Sequence, residues 1–335
     1  MAFKDIAGNA RIKKILGLAL ERGRVPNSLI FSGPEGVGKK ALALTLAKTL
    51  NCQAPAADPA AAADSCDACP SCRAIDEGRH PDVMIIGAEV KDIKIEQTQL
   101  LKQMAYLKPM MGRRRVFILE GAEKLNESSA SSLLKVLEEP PAFCHMILVT
   151  ASPFLILPTI LSRCRTLAFS PIGREEIEEI LVGRDYPQEQ ARLLSLLVDG
   201  NLERALDLEW DEVQASRDDA WTLFEMMLSG TNASRFLERF GSLAKAAQED
   251  FRKTLELFSS FTRDILLIEL GGDTRLLLNP DFEPRLRETA ERLPARRALA
   301  VLADLEFVLP EIDRNLNKSL LATTFFSNFG ELTHA

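Results

Sequence analysis

The segment Gly33-Pro34-Glu35-Gly36-Val37-Gly38-Lys39-Lys40 follows an apolar run and opens a helical one. Its G-x-x-x-x-G-K spacing suits phosphate. The glycines let backbone N–H groups converge on the oxygens, a helix N-terminus adds favourable potential, and Lys39 reaches the outer phosphates. The eighth position departs from that chemistry. A Ser or Thr hydroxyl there ligates Mg²⁺, whereas Lys40 brings a positive charge that repels a cation.

A hydrolytic site also needs carboxylates at the end of a neighbouring strand, to hold the metal and orient water. In Ile118-Leu119-Glu120-Gly121-Ala122-Glu123, Glu120 stands in for the metal-associated aspartate, longer by a methylene. Gly121 occupies the place of a catalytic glutamate. Glu123 is read as the start of the next helix, where an acid suits the dipole. Phosphate binding through Gly33, Gly36, Gly38, Lys39, Lys40 and Glu120 remains compatible with this degenerate set. Hydrolysis of ATP with Mg²⁺ by this chain is not expected.

Cys66-Asp67-Ala68-Cys69-Pro70-Ser71-Cys72 gives C-x-x-C-x-x-C, and Cys52 lies across an Ala/Pro-rich insert spanning 54–63. Four thiolates at short spacing suit tetrahedral Zn²⁺ in a closed, structural site. A disulfide framework and an iron–sulfur cluster are the alternatives, the first lacking any sign of secretion and the second matching in spacing only partly. Cys144 and Cys164 are distant in sequence and are assigned to the core.

Arg163, in Thr159-Ile160-Leu161-Ser162-Arg163-Cys164, has two readings. It is a surface arginine in an intramolecular salt bridge, or an arginine finger presented to a nucleotide on a neighbouring subunit. Composition does not choose between them. Arg113-Arg114-Arg115 is likewise either a solvated start of a strand or a basic patch for a nucleic-acid backbone.

These residues need a scaffold that alternates strand and helix. Short apolar runs at 28–32, 83–86, 115–119, 146–150 and 166–169 read as strands of a buried parallel sheet, with helices at 40–50, 96–107 and 131–137 between them. Beyond Pro171 the strands stop. Short helices are read at 175–182, 188–197 and 202–208, then helices at 220–228, 234–241, 249–270, 285–293, 295–309 and 312–329. Pro280, Pro284, Pro294 and Pro310 are read as helix starts or breaks. The chain of 335 residues thus divides into an α/β domain over 1–168, carrying the cysteine module around 52–72, a small helical domain over 169–209 and a helical domain over 210–335.

With 46% hydrophobic and 27% charged residues the composition is that of a globular protein and excludes disorder. No apolar run approaches the roughly 18 residues of a membrane span, and the start Met1-Ala2-Phe3-Lys4-Asp5 lacks an apolar signal core. A cytoplasmic location is the expectation. The net charge of −7 conceals an asymmetry: residues 1–165 hold 22 basic and 17 acidic side chains, +5, leaving −12 for the remainder. Different partners are implied for the two halves.

Taken together, these motifs resemble the bacterial DNA polymerase III clamp-loader subunits. Supporting matches are Phe3 to Asn9, Gly112 and the arginines before the third strand, Leu133-Leu134-Lys135-Val136-Leu137-Glu138-Glu139-Pro140-Pro141, and Arg314-Asn315-Leu316-Asn317-Lys318. The resemblance covers mainly the first 165 or so residues. It implies an AAA+ P-loop domain with a zinc module held by Cys52, Cys66, Cys69 and Cys72, a lid domain and an oligomerising collar. The implied partners are gamma/tau and delta subunits in a hetero-pentamer, a sliding clamp and primer–template DNA. The family's gamma/tau motors keep a hydroxyl after the loop lysine, an Asp-Glu pair on the acidic strand and a lid arginine in G-x-x-R. Here Gly200-Asn201-Leu202-Glu203 puts Glu203 at that arginine's place, with Arg204 one residue on. These losses, with Arg163 retained, are similar to the family's non-hydrolysing stator, in which Arg163 would complete the neighbour's ATP site. A catalytically active motor of gamma/tau type is the alternative.

Overall fold

The apolar runs fold into one sheet in which every pairing is parallel. In a computed structural model of the chain, β1 (Ser28–Ser32), β2 (Val83–Ile86), β3 (Arg115–Glu120), β4 (Cys144–Thr150) and β5 (Arg165–Ala168) lie in the order β2-β3-β4-β1-β5. The structure describes residues 2–54, 64–88, 92–229, 236, 238–242 and 248–312. The register sets Ser32 opposite Thr150 and Glu120 opposite Val149, so the ends of β1, β3 and β4 form one carboxyl edge. Ligands of open parallel sheets bind along that edge.

Alternation along the strands feeds two cores. Val116 and Ile118 of β3 join Phe31, Leu42 and Leu46 on one face, with α1 (Ala10–Glu21) and α2 (Lys39–Asn51). Phe117 and Leu119 turn to the other face, against Leu101 of α4 (Ile95–Ala105) and Leu133 of α5 (Glu127–Glu138). The short α3 (Pro70–Asp76) packs on α2 and α6 (Pro158–Leu161) on α5, and α7 (Arg174–Val182), α8 (Gln188–Leu197) and α9 (Leu202–Asp207) follow. The strand order, the phosphate loop after β1 and the appended small helices are the AAA+ arrangement.

The chain forms two compact units, Met1–Leu206 and Asp207–Ala335. In the second, α10 (Trp210–Ser229), α11 (Gln248–Glu269), α12 (Glu283–Ala290) and α13 (Ala295–Ile312) enclose an aromatic core that includes Trp221, Phe224, Phe258, Phe261 and Phe282. Residues 238–242 are also helical. The buried Arg217 donates to both oxygens of Asp281, at 2.6 and 2.9 Å, and to Asn279 Oδ1 at 2.9 Å, tying α10 to the segment before α12.

Several elements differ from the sequence reading. That reading has no counterpart of α1, although Ile12, Leu16 and Leu20 carry its helical spacing. Glu123 does not begin a helix. It lies in the 3-10 turn Ala122–Lys124, and α5 starts at Glu127, where the Asn126 side chain accepts from Ser129 N. Pro310 does not break α13, which runs through it to Ile312. The carbonyl its missing N–H leaves free belongs to Glu306, an exposed residue open to solvent. The Ala/Pro insert (except Ala54), Arg314 to Lys318 and all but Ile312 of the expected helix 312–329 lie outside the described residues, as does part of the helix expected at 234–241. Among the described residues, no helix is long and apolar enough to cross a membrane.

Candidate phosphate-loop and metal sites

The loop between β1 and α2 has the backbone a phosphate cradle requires. Gly36 and Gly38 take left-handed conformations, with φ of 66° and 82°, and Gly33 sits at 144°. Gly36 is also a close-approach position: a Cβ there would lie 1.6 Å from Asn201 Oδ1, an oxygen already accepting from Arg204 N. The N-terminus of α9 thus rests on the loop.

The side chains of that cradle are occupied within the protein. Lys39 folds back, its Nζ donating to Gly33 O at 2.6 Å and to Pro34 O. Burial pushes the Lys39 ammonium below its ordinary pKa, against the opposing pull of Glu35, Glu123 and Glu203. Lys40 reaches across to β3 and pairs with Glu120, Nζ to Oε1 at 2.8 Å. The ammonium therefore lies on the carboxylate expected to serve a metal. Glu35, Glu120, Glu123 and Glu203 face Lys39, Lys40 and Lys124 around a cleft of about 320 Å³. Four acids against three bases leave no excess of positive charge for a polyphosphate. Gly121, at φ 67°, contributes no side chain. Glu203, read as standing at the place of a lid arginine, lines the cleft, and Arg204 does not.

The cysteines of the second site converge as their spacing requires. The sulfurs of Cys52, Cys66, Cys69 and Cys72 all lie within 4.8 Å of one another. All six cysteines are unpaired, so no disulfide framework forms. Cys69 N donates to Cys66 Sγ at 3.3 Å and Cys72 N to Cys69 Sγ at 3.4 Å. Burial opposes ionisation of Cys69, but the Gln53 and Cys72 amides and the neighbouring thiols outweigh it and bring its pKa down to about 6. A four-sulfur set with a thiolate at neutral pH fits one soft metal ion. Lys48, itself buried, anchors the module to α2 through Asp76 at 3.0 Å. Cys144 and Cys164 lie apart from it, and burial pushes both thiols up to about 12.

Arg163 follows α6 on the surface. Its Nε donates to Glu138 Oε1 at 2.8 Å, and Nη1 to Thr159 O at 2.8 Å and Ser162 Oγ at 3.1 Å. The intramolecular salt bridge is thus made, by an arginine that remains a third exposed. The run Arg113 to Arg115 is not a continuous basic patch. Arg113 is exposed, but Arg115 is buried on Asp82, Nη2 to Oδ1 at 2.9 Å. The approach of Asn201 to Gly36 and the pairing of Glu138 with Arg163 and of Asp82 with Arg115 escaped the sequence reading because the partners lie far apart along the chain.

Sequence comparisons with known proteins find DNA polymerase III subunits. The family model described as DNA polymerase III, delta subunit, matches residues 8–173. DNA polymerase III subunit delta' of Bacillus subtilis (strain 168) is 28% identical over 298 residues, 88% of this chain and 88% of that one. DNA polymerase III subunit tau of Salmonella typhimurium (strain LT2) is 35% identical over 222 residues, 64% of this chain and 34% of the relative, so the match spans about a third of that protein. A solved DNA polymerase III gamma subunit-related protein from Thermotoga maritima has a TM-score of 0.49 and 17% identity, covering 97% of this chain and 99% of that one.

Proposed function

This chain belongs to the bacterial DNA polymerase III clamp-loader family, and from that premise we propose that it is the delta prime subunit, a stator that does not hydrolyse ATP itself. The observation that carries the reading is the Lys40–Glu120 ion pair, which puts an ammonium on the carboxylate that a hydrolytic site would use for Mg²⁺. The self-bonded Lys39 and the missing carboxylate at Gly121 act in the same direction.

In this reading the work of the chain is done at its boundaries. A neighbouring gamma/tau subunit binds ATP, and Arg163 supplies the guanidinium that stabilises charge on the transferring phosphoryl group. Residues 1–168 act as the AAA+ domain, 169–209 as the lid, and 210–335 as the collar that joins gamma/tau and delta in a hetero-pentamer. The assembled loader opens a sliding clamp and sets it around primer–template DNA. Zinc held by Cys52, Cys66, Cys69 and Cys72 supplies a structural cross-link in a closed site with no position for substrate.

Two measurements test the proposal. With Mg²⁺ and ATP, the isolated chain is expected to show no turnover above background. Appreciable turnover abolished by Lys39→Ala would replace the stator reading with that of a gamma/tau-type motor. Metal analysis of the purified chain should find about one zinc per chain. A folded chain with no metal would remove zinc from the account.

A further inference from the structure

We propose that the four-cysteine centre and the surface loop 106–114 form one mechanical unit, joined by a buried relay through Ser71, His80 and Asp82, so that metal occupancy fixes the loop. The metal half of this inference rests on the zinc reading above; the relay itself does not.

The loop carries large apolar side chains that nothing in the first unit shelters. Met110 is 81% exposed and Leu107 58%. A segment that leaves such groups in water draws little rigidity from its own packing. Its backbone, however, converges on one buried carboxylate. Met110 N donates to Asp82 Oδ1 at 2.8 Å, and Met111 N and Gly112 N donate to Oδ2 at 2.7 and 2.8 Å. Arg115 bridges Asp82 to the other end of the loop by donating to Lys108 O at 3.1 Å. The conformation of the loop is therefore set by where Asp82 points.

Asp82 is in turn set from the cysteine module. Its own N–H donates to His80 Nδ1 at 3.1 Å, which leaves Nε2 to carry the proton of the neutral ring. That nitrogen lies 3.0 Å from Ser71 Oγ. Ser71 and His80 are buried, and Ser71 immediately precedes Cys72. A second line runs in parallel from the other end of the module. Asn51, fully buried and immediately before Cys52, accepts from Arg114 N at 2.8 Å. Gly112 fits between the two lines: a Cβ there would lie 2.3 Å from Asn51 Oδ1 and 3.2 Å from His80 Cε1.

Both lines begin at the residue before a cysteine that closes on the metal, so the ion fixes the origin of each. Buried polar chains of this kind hold one geometry when every member is satisfied and loosen together when one is removed. Loss of the ion frees Cys52 and Cys72, and with them Asn51 and Ser71. The loop then loses the fixed direction of Asp82.

Amide hydrogen exchange on the full chain tests this, comparing zinc-loaded protein, chelated protein and the His80→Ala and Ser71→Ala variants, each with its zinc content measured. The amides of Met110, Met111 and Gly112 are expected to exchange at least about tenfold faster after chelation. They should do the same in His80→Ala with zinc still bound, while Ile30 and Ile147 in the sheet keep their protection. Unchanged loop exchange in zinc-loaded His80→Ala overturns the relay, and unchanged exchange after chelation overturns its coupling to the metal. If chelation unfolds the whole chain, or His80→Ala fails to fold, zinc-loaded Ser71→Ala decides the matter by the same criterion. A zinc-free native chain overturns the metal assignment and with it the coupling.

Discussion

Replacing Arg163 with alanine is expected to leave the chain folded and the pentamer assembled, yet to lower the DNA-stimulated ATPase of the reconstituted loader sharply, turnover at the one ATP site it completes falling on the order of 10³-fold. The two halves of that expectation have different physical origins. The partners of Arg163 in its own chain are a half-exposed Glu138 carboxylate and oxygens of Thr159 and Ser162. A solvated pair of this kind contributes about 1 kcal/mol or less, so its loss barely moves the unfolding transition. A guanidinium aimed at the phosphate of a neighbour's nucleotide is worth far more, because it meets charge that develops in a water-poor interface. Glu138 holds the fork through an oxygen that a phosphate is well suited to replace. Arg163→Lys discriminates further, since it keeps the charge and loses the planar fork, and should recover only part of the rate. Steady-state ATPase with primed DNA and clamp, beside gel filtration of the complex, provides the check. Unchanged ATPase would reduce Arg163 to the intramolecular salt bridge the structure already contains.

The phosphate loop shows how much of such a site is legible beforehand. Glycine spacing and the lysine at position seven follow from backbone geometry and are local, so Gly33 to Lys39 could be read directly. The identity of Lys40 already told of a missing metal ligand. Its ion pair with Glu120 could not be read, because the partner lies 80 residues away and is brought near only by the register of β3 with β4 and of β4 with β1. The same holds more strongly for buried polar residues. His80 and Asp82 have no spacing that marks them, and Arg115 sits in a run of three arginines with the look of a solvated segment. Their roles appear when α3, β3 and the loop meet. The charge asymmetry is altered by the same fact. Of the basic residues behind the +5 of the first 165, Lys48 and Arg115 are buried on acids and Lys40 is paired, so the excess overstates the positive surface offered to nucleic acid.

Asp82→Ala is expected to cost the first unit about 3–5 kcal/mol of stability, more than any surface change. Removing the carboxylate strands Arg115 as an unpaired buried charge and orphans the amides of Met110, Met111 and Gly112 at once. Replacing the pair together, as Asp82→Ala with Arg115→Met, should recover part of that loss, because the uncompensated charge goes while the orphaned amides stay. The wild-type pH dependence carries the same signature. Burial alone would raise the Asp82 pKa, but the three amides and Arg115 hold it below the usual carboxylate value. A depressed carboxylate contributes stability that is fully present above its unfolded pKa, near 3.9, and is lost as the pH falls through the lower folded value. The variant should therefore have lost this share of the acid sensitivity along with the stability. Both tryptophans, Trp210 and Trp221, lie in the second unit, so their fluorescence follows the wrong region. Urea unfolding watched by far-UV circular dichroism, at pH 7 and again near pH 3, is the measurement. A variant as stable as wild type at pH 7 would mean that loop 106–114 finds other acceptors when Asp82 is gone, and that the carboxylate organises the loop without stabilising the fold.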